Sequence, residues 1–193
     1  MNPWIAKLVI LAASVLTVII RAPHGQRNRS VKVAKSYKGT REVVLLTLAW
    51  MGFFIPLVWI FSPAFSFADY PLRPAPFIAG ICFLVAGLWL LYRSHADLGT
   101  YWSITLEVRE NHQLITNGVY RFIRHPMYTS LFLSSIGQVL VLPNWVAGPS
   151  YLVPFTILFA LRVTAEEKMM LETFGSQYAE YMARTKRLLP GIW

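Results

Sequence analysis

Long uninterrupted apolar runs set the first limit on what this chain can fold into. Five segments are long enough to cross a bilayer, which takes roughly 20 residues of helix. They run near Pro3–Ile20, Val43–Phe61, Pro76–Tyr92, Pro126–Leu142 and Trp145–Leu161. With 55% hydrophobic and only 14% charged residues, the chain falls well short of the roughly one-quarter charged residues of a soluble domain. The expectation is an all-α integral membrane protein: about five transmembrane helices, a cytosolic cap and a C-terminal amphipathic helix. It reads as one domain over residues 1–193, with three spans in 1–92 and a functional region, containing spans four and five, in 93–193.

The net charge of +9 would suit nucleic acid, but its placement argues against that. Arg21, Arg27, Arg29, Lys32, Lys35, Lys38 and Arg41 fall in one loop between the first two apolar runs, with no acid among them. That is the positive-inside pattern of a cytosolic loop, and no nucleic-acid module accompanies it. The N-terminus is then outside, and the polar segments Arg93–Arg124 and Arg162–Trp193 are cytosolic. No small-residue cleavage pattern follows the first run, so it reads as a retained span. Leu142-Pro-Asn-Trp145 is short enough to make spans four and five an antiparallel hairpin. Cys82 is the only cysteine; it can build neither an internal disulfide nor a metal site by itself. No metal is expected.

Chemistry-bearing residues crowd the two cytosolic segments. Asn117-Gly118 signals a turn, and Pro126 suits the first turn of a helix. Arg124 and His125 therefore belong at the mouth of span four, between Tyr120 and Tyr128. At the end of span five, Arg162 and Glu166 share a helical face at i, i+4, beside Glu167. Ionisable groups at that depth are costly unless paired or functional. Met170, Phe174, Tyr178 and Tyr181 then mark one face of an amphipathic helix, with lowered propensity at Gly175 and an end at Pro190. A glycine-rich phosphate loop, a His-Glu-x-x-His motif and a Gly-x-Ser-x-Gly elbow are all absent from the sequence. By spacing alone these residues identify no reaction: basic residues also anchor span ends, and tyrosines also form interfacial belts.

Asn117-Gly-Val-Tyr-Arg-Phe-Ile-Arg-His-Pro-Met-Tyr128, Arg162-x-x-x-Glu166-Glu167 and Phe174-Gly-x-x-Tyr178-x-x-Tyr181 occur in order. Together with Asp97-Leu-Gly-x-x-Trp102-Ser103, they resemble the isoprenylcysteine carboxyl methyltransferase family and the related phospholipid N-methyltransferases, in a short, prokaryotic-type form. The resemblance covers roughly Asp97–Pro190. It implies S-adenosyl-L-methionine as cofactor, held without a Rossmann domain by Glu107, His112, Gln113, Leu114, Ile115, Tyr120, His125, Pro126, Met127, Tyr128 and Glu167. Arg162 and Glu166 are implied as catalytic. The expected activity is carboxyl O-methylation of a prenylcysteine-like acceptor entering from the bilayer, in a prokaryotic cytoplasmic membrane with the site facing the cytosol. Alternatives are N- or S-methylation of a phospholipid or small lipid, and an NADPH-dependent enzyme like the sterol reductases.

Overall fold

The computed structural model describes residues 2–28, 33–36, 39–105, 107–109 and 113–192. Its helices are α1 (Pro3–Asn28), α2 (Thr40–Phe61), α3 (Pro74–Leu98), α4 (Pro126–Val141), α5 (Leu152–Phe174) and α6 (Ser176–Arg184). Three helical stretches, Pro3–Gln26, Thr40–Phe61 and Pro74–Tyr101, are long and apolar enough to cross a membrane. Within an apolar 18-residue window of each, only 11% of the first and 28% of each of the others is buried inside the protein. Leu8, Val15, Leu48, Met51, Phe61, Ile78, Val85 and Trp89 point outward instead. So broad an apolar surface marks contact with lipid or with other protein.

The other two expected spans take a different shape. α4 has 16 residues. α5 starts at Leu152 and not near Trp145, because residues 145–151 form turns. Gln138 of α4 closes them by donating from Nε2 to the carbonyls of Ala147 and Gly148 at 3.0 and 2.9 Å. The two helices do form the expected antiparallel hairpin. Phe132 meets Phe155 at 4.8 Å between ring centroids, and Tyr128 meets Phe159 at 5.1 Å.

Two further features depart from the expectation. A short antiparallel pair, β1 (Val33–Ser36) with β2 (Glu107–Arg109), ties the basic loop to the segment after α3. The C-terminal helix is also not continuous. Gly175 adopts φ +54°, open to glycine at little cost, and separates α5 from a nine-residue α6 that ends at Arg184, before Pro190.

Buried side chains from every layer join the core. Ala6 and Ile10 of α1, Trp59 and Ile60 of α2, Phe77 and Leu84 of α3, and Val141 of α4 make one cluster. A second joins α2 to α5 through Ala49, Phe155 and Leu158. α3 and α4 come closest: a Cβ at Gly80 would lie 3.0 Å from the Gly137 carbonyl oxygen, and one at Gly137 would lie 2.9 Å from that of Gly80. Side chains of ordinary size are excluded from this seam. At the end of the bundle away from the ionisable cluster, Asp69 accepts from Trp59 Nε1 and Asn144 Nδ2, both at 2.7 Å. That node pins the turn after α2 to the turn after α4.

Candidate functional site

The opposite end carries the ionisable residues, and their placement follows from a few local devices. Asp97, at the end of α3, accepts from the Val119 amide at 2.8 Å. Gly118 sits there at φ +57°, and a Cβ would overlap the Asp97 carboxylate at 2.1 Å. This fixes Asn117-Gly118 as the turn the sequence indicates and delivers Tyr120 into the interior. Tyr120 is buried, and Tyr181 Oη donates to its carbonyl at 2.6 Å. Pro126 opens α4, with His125 immediately before it.

A strap from the C-terminal tail holds this wall. The Arg124 and His125 amides donate to the carbonyls of Lys186 and Arg187 at 2.8 and 3.0 Å. Thr129 Oγ1 donates to Leu188 O at 3.0 Å. Glu167 locks the strap from beneath. It accepts from Arg124 Nε at 2.9 Å and from Arg187 Nε and Nη2 at 3.0 and 2.7 Å, with His125 Nε2 at 3.3 Å. Burial pushes the Glu167 carboxyl up, but hydrogen bonds from His125, Arg187 and Arg124 outweigh it and hold the group well below the usual carboxylate range. Charge-assisted bonds of this kind are the strong ones. Arg124 also donates from Nη1 to the carbonyls of Met182 and Thr185.

A second ionisable cluster lies one helical turn back on α5. Tyr128 Oη donates to Glu166 Oε2 at 2.6 Å, and Arg162 Nε lies 3.7 Å from the same oxygen. Arg162 Nη2 donates to the Ile104 carbonyl at 2.8 Å and lies 3.5 Å from Glu42 Oε1. The buried Nε makes no hydrogen bond, so one N–H of a planar fork remains available to an acceptor. His125 Nδ1 is 3.7 Å from Glu166 Oε1. His125 thus stands between the two carboxylates of α5.

These groups line one cavity of about 450 Å³, within the usual range for a small-molecule site. Of the residues singled out in the sequence, Glu107, Leu114, Ile115, Tyr120, His125, Pro126, Met127, Tyr128, Arg162 and Glu166 line it. Gln113 is exposed and off the lining. Glu167 is also off the lining, turned into the strap. His112 lies outside the described residues. Glu107 accepts from Ser103 Oγ at 3.1 Å and Thr105 Oγ1 at 2.6 Å.

Three lining or bordering residues were missed in the sequence. Trp102, 5% exposed, donates from Nε1 to Met127 Sδ at 2.9 Å; it had been noted only as part of a motif. Glu42, buried at the start of α2, was the available signal for a partner to Arg162: an acid opening an apolar run, directly after the basic loop. Arg21, counted among the loop cations, instead lines the cavity from α1. Farther from this cluster the cavity is walled by apolar groups of α1, α2, α4 and α5, among them Ile10, Val18, Trp50, Phe53, Leu131 and Phe155.

Residues 79–172 match the model of the isoprenylcysteine carboxyl methyltransferase (ICMT) family. Similar relatives include the protein-S-isoprenylcysteine O-methyltransferase of Tribolium castaneum, 32% identical over 115 residues, 58% of this chain and 41% of the relative. The human enzyme of that name is 38% identical over 86 residues, 45% of this chain and 30% of the relative. A solved eukaryotic intramembrane Ras methyltransferase ICMT superposes with a TM-score of 0.54 at 28% identity, covering 81% of this chain and 55% of that one. The matches span between 30% and 58% of the length of such curated relatives.

Proposed function

We propose, from this resemblance to the isoprenylcysteine carboxyl methyltransferases, that the chain is an integral membrane S-adenosylmethionine-dependent methyltransferase for a lipophilic acceptor, a prenylcysteine-like carboxylate first. The supporting observation is the continuity of the cavity. One lining combines aromatic and sulfur-containing side chains (Trp102, Met127, Tyr120), the ionisable Arg162 and Glu166, and apolar faces of α1 and α2. A water-soluble donor and a lipid-like acceptor can meet there from opposite sides.

The residues present fit such a donor. Trp102, Tyr120, Leu114 and Ile115 offer flat and apolar surface, and Glu107 and Glu166 favour a positive ligand. When bound, S-adenosylmethionine supplies a sulfonium-activated methyl group. In this reading His125 is held in place by Glu167, and Pro126, Met127 and Tyr128 continue the same wall. The protein's task is mainly alignment, which is worth about 7–11 kcal/mol in favourable cases. An acceptor carboxylate is ionised at neutral pH and needs no base. Arg162, fixed by Glu42, Glu166 and the Ile104 carbonyl, has its free Nε–H to orient that carboxylate. Glu166, which accepts from Tyr128, flanks that Nε at 3.7 Å.

The same cluster supports an amine acceptor as the second reading, because Glu42 and Glu166 flank Arg162 and a carboxylate there can receive the amine's proton. A nicotinamide phosphate cofactor fits less well: its several phosphates call for a group of free cations, and the lining carries Arg21 without an ion pair among the described residues but also the acids Glu107 and Glu166. In the membrane we place the basic loop and the cluster on the cytosolic side, with α4 and α5 up to Leu161 in the fourth and fifth spans, the rest of α5, α6, the strap and flanking segments as the cap, and residues 1–193 as one domain.

Calorimetry on detergent-purified protein tests the donor: S-adenosylhomocysteine binds and NADPH does not. Transfer of radiolabelled methyl to a farnesylcysteine tests the acceptor. A base-labile product is the ester expected here, and a base-stable one assigns an amine. Binding of NADPH without S-adenosylhomocysteine overturns the proposal.

A further inference from the structure

The cavity contains a cation that makes no ion pair among the described residues. Arg21 reaches it from α1, and its described contact is the Trp102 ring, with the guanidinium carbon 5.3 Å from the ring centroid. Among the described residues no carboxylate lies within ion-pair distance of it. The other two arginines of the lining have carboxylate partners: Arg124 has Glu167, and Arg162 has Glu42 and Glu166. The side chains stacked beside the indole are bases: His95 packs on Trp102 at 4.8 Å and His24 on His95 at 5.0 Å.

A cation held against apolar helices is costly unless it meets a counter-charge. The indole face attracts it, but it neither neutralises the charge nor satisfies the N–H donors in the guanidinium plane. A planar fork of five such donors matches a carboxylate, two bonds at a time. Its position on the first helix, outside residues 79–172, makes it an addition to the cluster on α4 and α5.

We propose that Arg21 is a ligand-binding residue of the cavity that takes the carboxylate of one of the two reactants, in the space beside Trp102. This rests on the two-reactant reading above. Either reactant can bring the group: the donor carries an amino-acid carboxylate, and the acceptor carries the carboxylate to be methylated.

The test compares wild type with Arg21→Gln and Arg21→Lys by calorimetry on the full chain in detergent. If the donor's carboxylate is the ligand, the Kd for S-adenosylhomocysteine rises about tenfold or more in Arg21→Gln, the usual scale for a bond to a charged group. In that case 5′-methylthioadenosine, which lacks the amino-acid end, binds wild type and variant alike. If the acceptor's carboxylate is the ligand, S-adenosylhomocysteine is unaffected. N-acetyl-S-farnesylcysteine is then weakened by a similar factor, while its methyl ester is not. Arg21→Lys keeps the charge without the fork and retains part of the affinity in either case, which separates a lost contact from a misfolded variant. Kd values for both acids within twofold of wild type in Arg21→Gln overturn the proposal and leave Arg21 a membrane-edge anchor. A wild type that binds no S-adenosylhomocysteine overturns the methyltransferase reading, while the acid-against-ester comparison still decides Arg21.

Discussion

At the scale of single residues, the two glutamates of α5 do different work despite being neighbours in sequence. Glu166 faces the cavity; Glu167 faces the strap. Replacing Glu167 with Ala leaves Arg124 buried without its carboxylate, and breaking a buried pair in this way costs about 3–5 kcal/mol. Thermal melting in detergent reads that loss. The pH dependence has a fixed sign. A carboxyl whose folded pKa is depressed contributes fully above its unfolded pKa, about 4.3. That contribution is lost as the pH falls from there through the lower folded value. The melting-temperature gap between wild type and Glu167→Gln is therefore expected to be constant near neutrality and to narrow below about pH 4. A gap that widens on acidification contradicts the assignment. For the cavity residues, His125→Ala should weaken S-adenosylhomocysteine more than Arg162→Ala does, and Arg162→Ala should mainly abolish turnover. Full activity in Arg162→Ala removes that residue from the mechanism. The i, i+4 spacing made Arg162 and Glu166 legible in sequence. Glu42 and Arg21 were hidden because partners so far apart in sequence are paired only by helix packing.

At the scale of elements, the seam between α3 and α4 sets where the wall stands. Gly137→Leu forces a branched side chain against the Gly80 carbonyl and Leu84, and overpacking of this kind costs about 1–3 kcal/mol. Its expected outcome is a lowered melting temperature, with S-adenosylhomocysteine affinity lost in step because α4 carries Pro126, Met127 and Tyr128. Apolar run length indicated α1, α2 and α3 well, since a lipid-facing helix needs little beyond length and hydropathy. It indicated the start of α5 poorly. Trp145–Tyr151 carries the breaker Gly148-Pro149-Ser150, and the Asn144 carboxamide oxygen accepts from the Val146 and Ala147 amides at 2.9 and 2.7 Å and keeps this stretch in turns. The pairing of β1 with β2 was equally invisible, as it joins two short segments more than 70 residues apart, from Ser36 to Glu107.

At the scale of the whole molecule, the cavity is completed by parts from both ends of the chain: Arg21 and Glu42 from the first two helices, and the strap from the last described residues. A chain ending at Arg184 lacks the carbonyls of Lys186, Arg187 and Leu188 that seat Arg124, His125 and Thr129. That truncation should abolish S-adenosylhomocysteine binding while leaving α1 to α3 helical by circular dichroism. Retained binding shows that the strap is dispensable.

The uneven packing of the helices has a further consequence. α3 and α4 meet backbone to backbone, whereas α1 buries a smaller share of its apolar length than α2 or α3. The former pair forms a close-packed frame, and α1 is held largely by whatever surrounds it. In a bilayer the surroundings are acyl chains, so under the proposed function the admission of a lipophilic acceptor beside α1 becomes subject to lipid order. In liposomes of saturated lipid cooled below their melting transition, turnover should fall far more steeply than S-adenosylhomocysteine affinity. The membrane's viscosity would then regulate this catalyst without touching its chemistry.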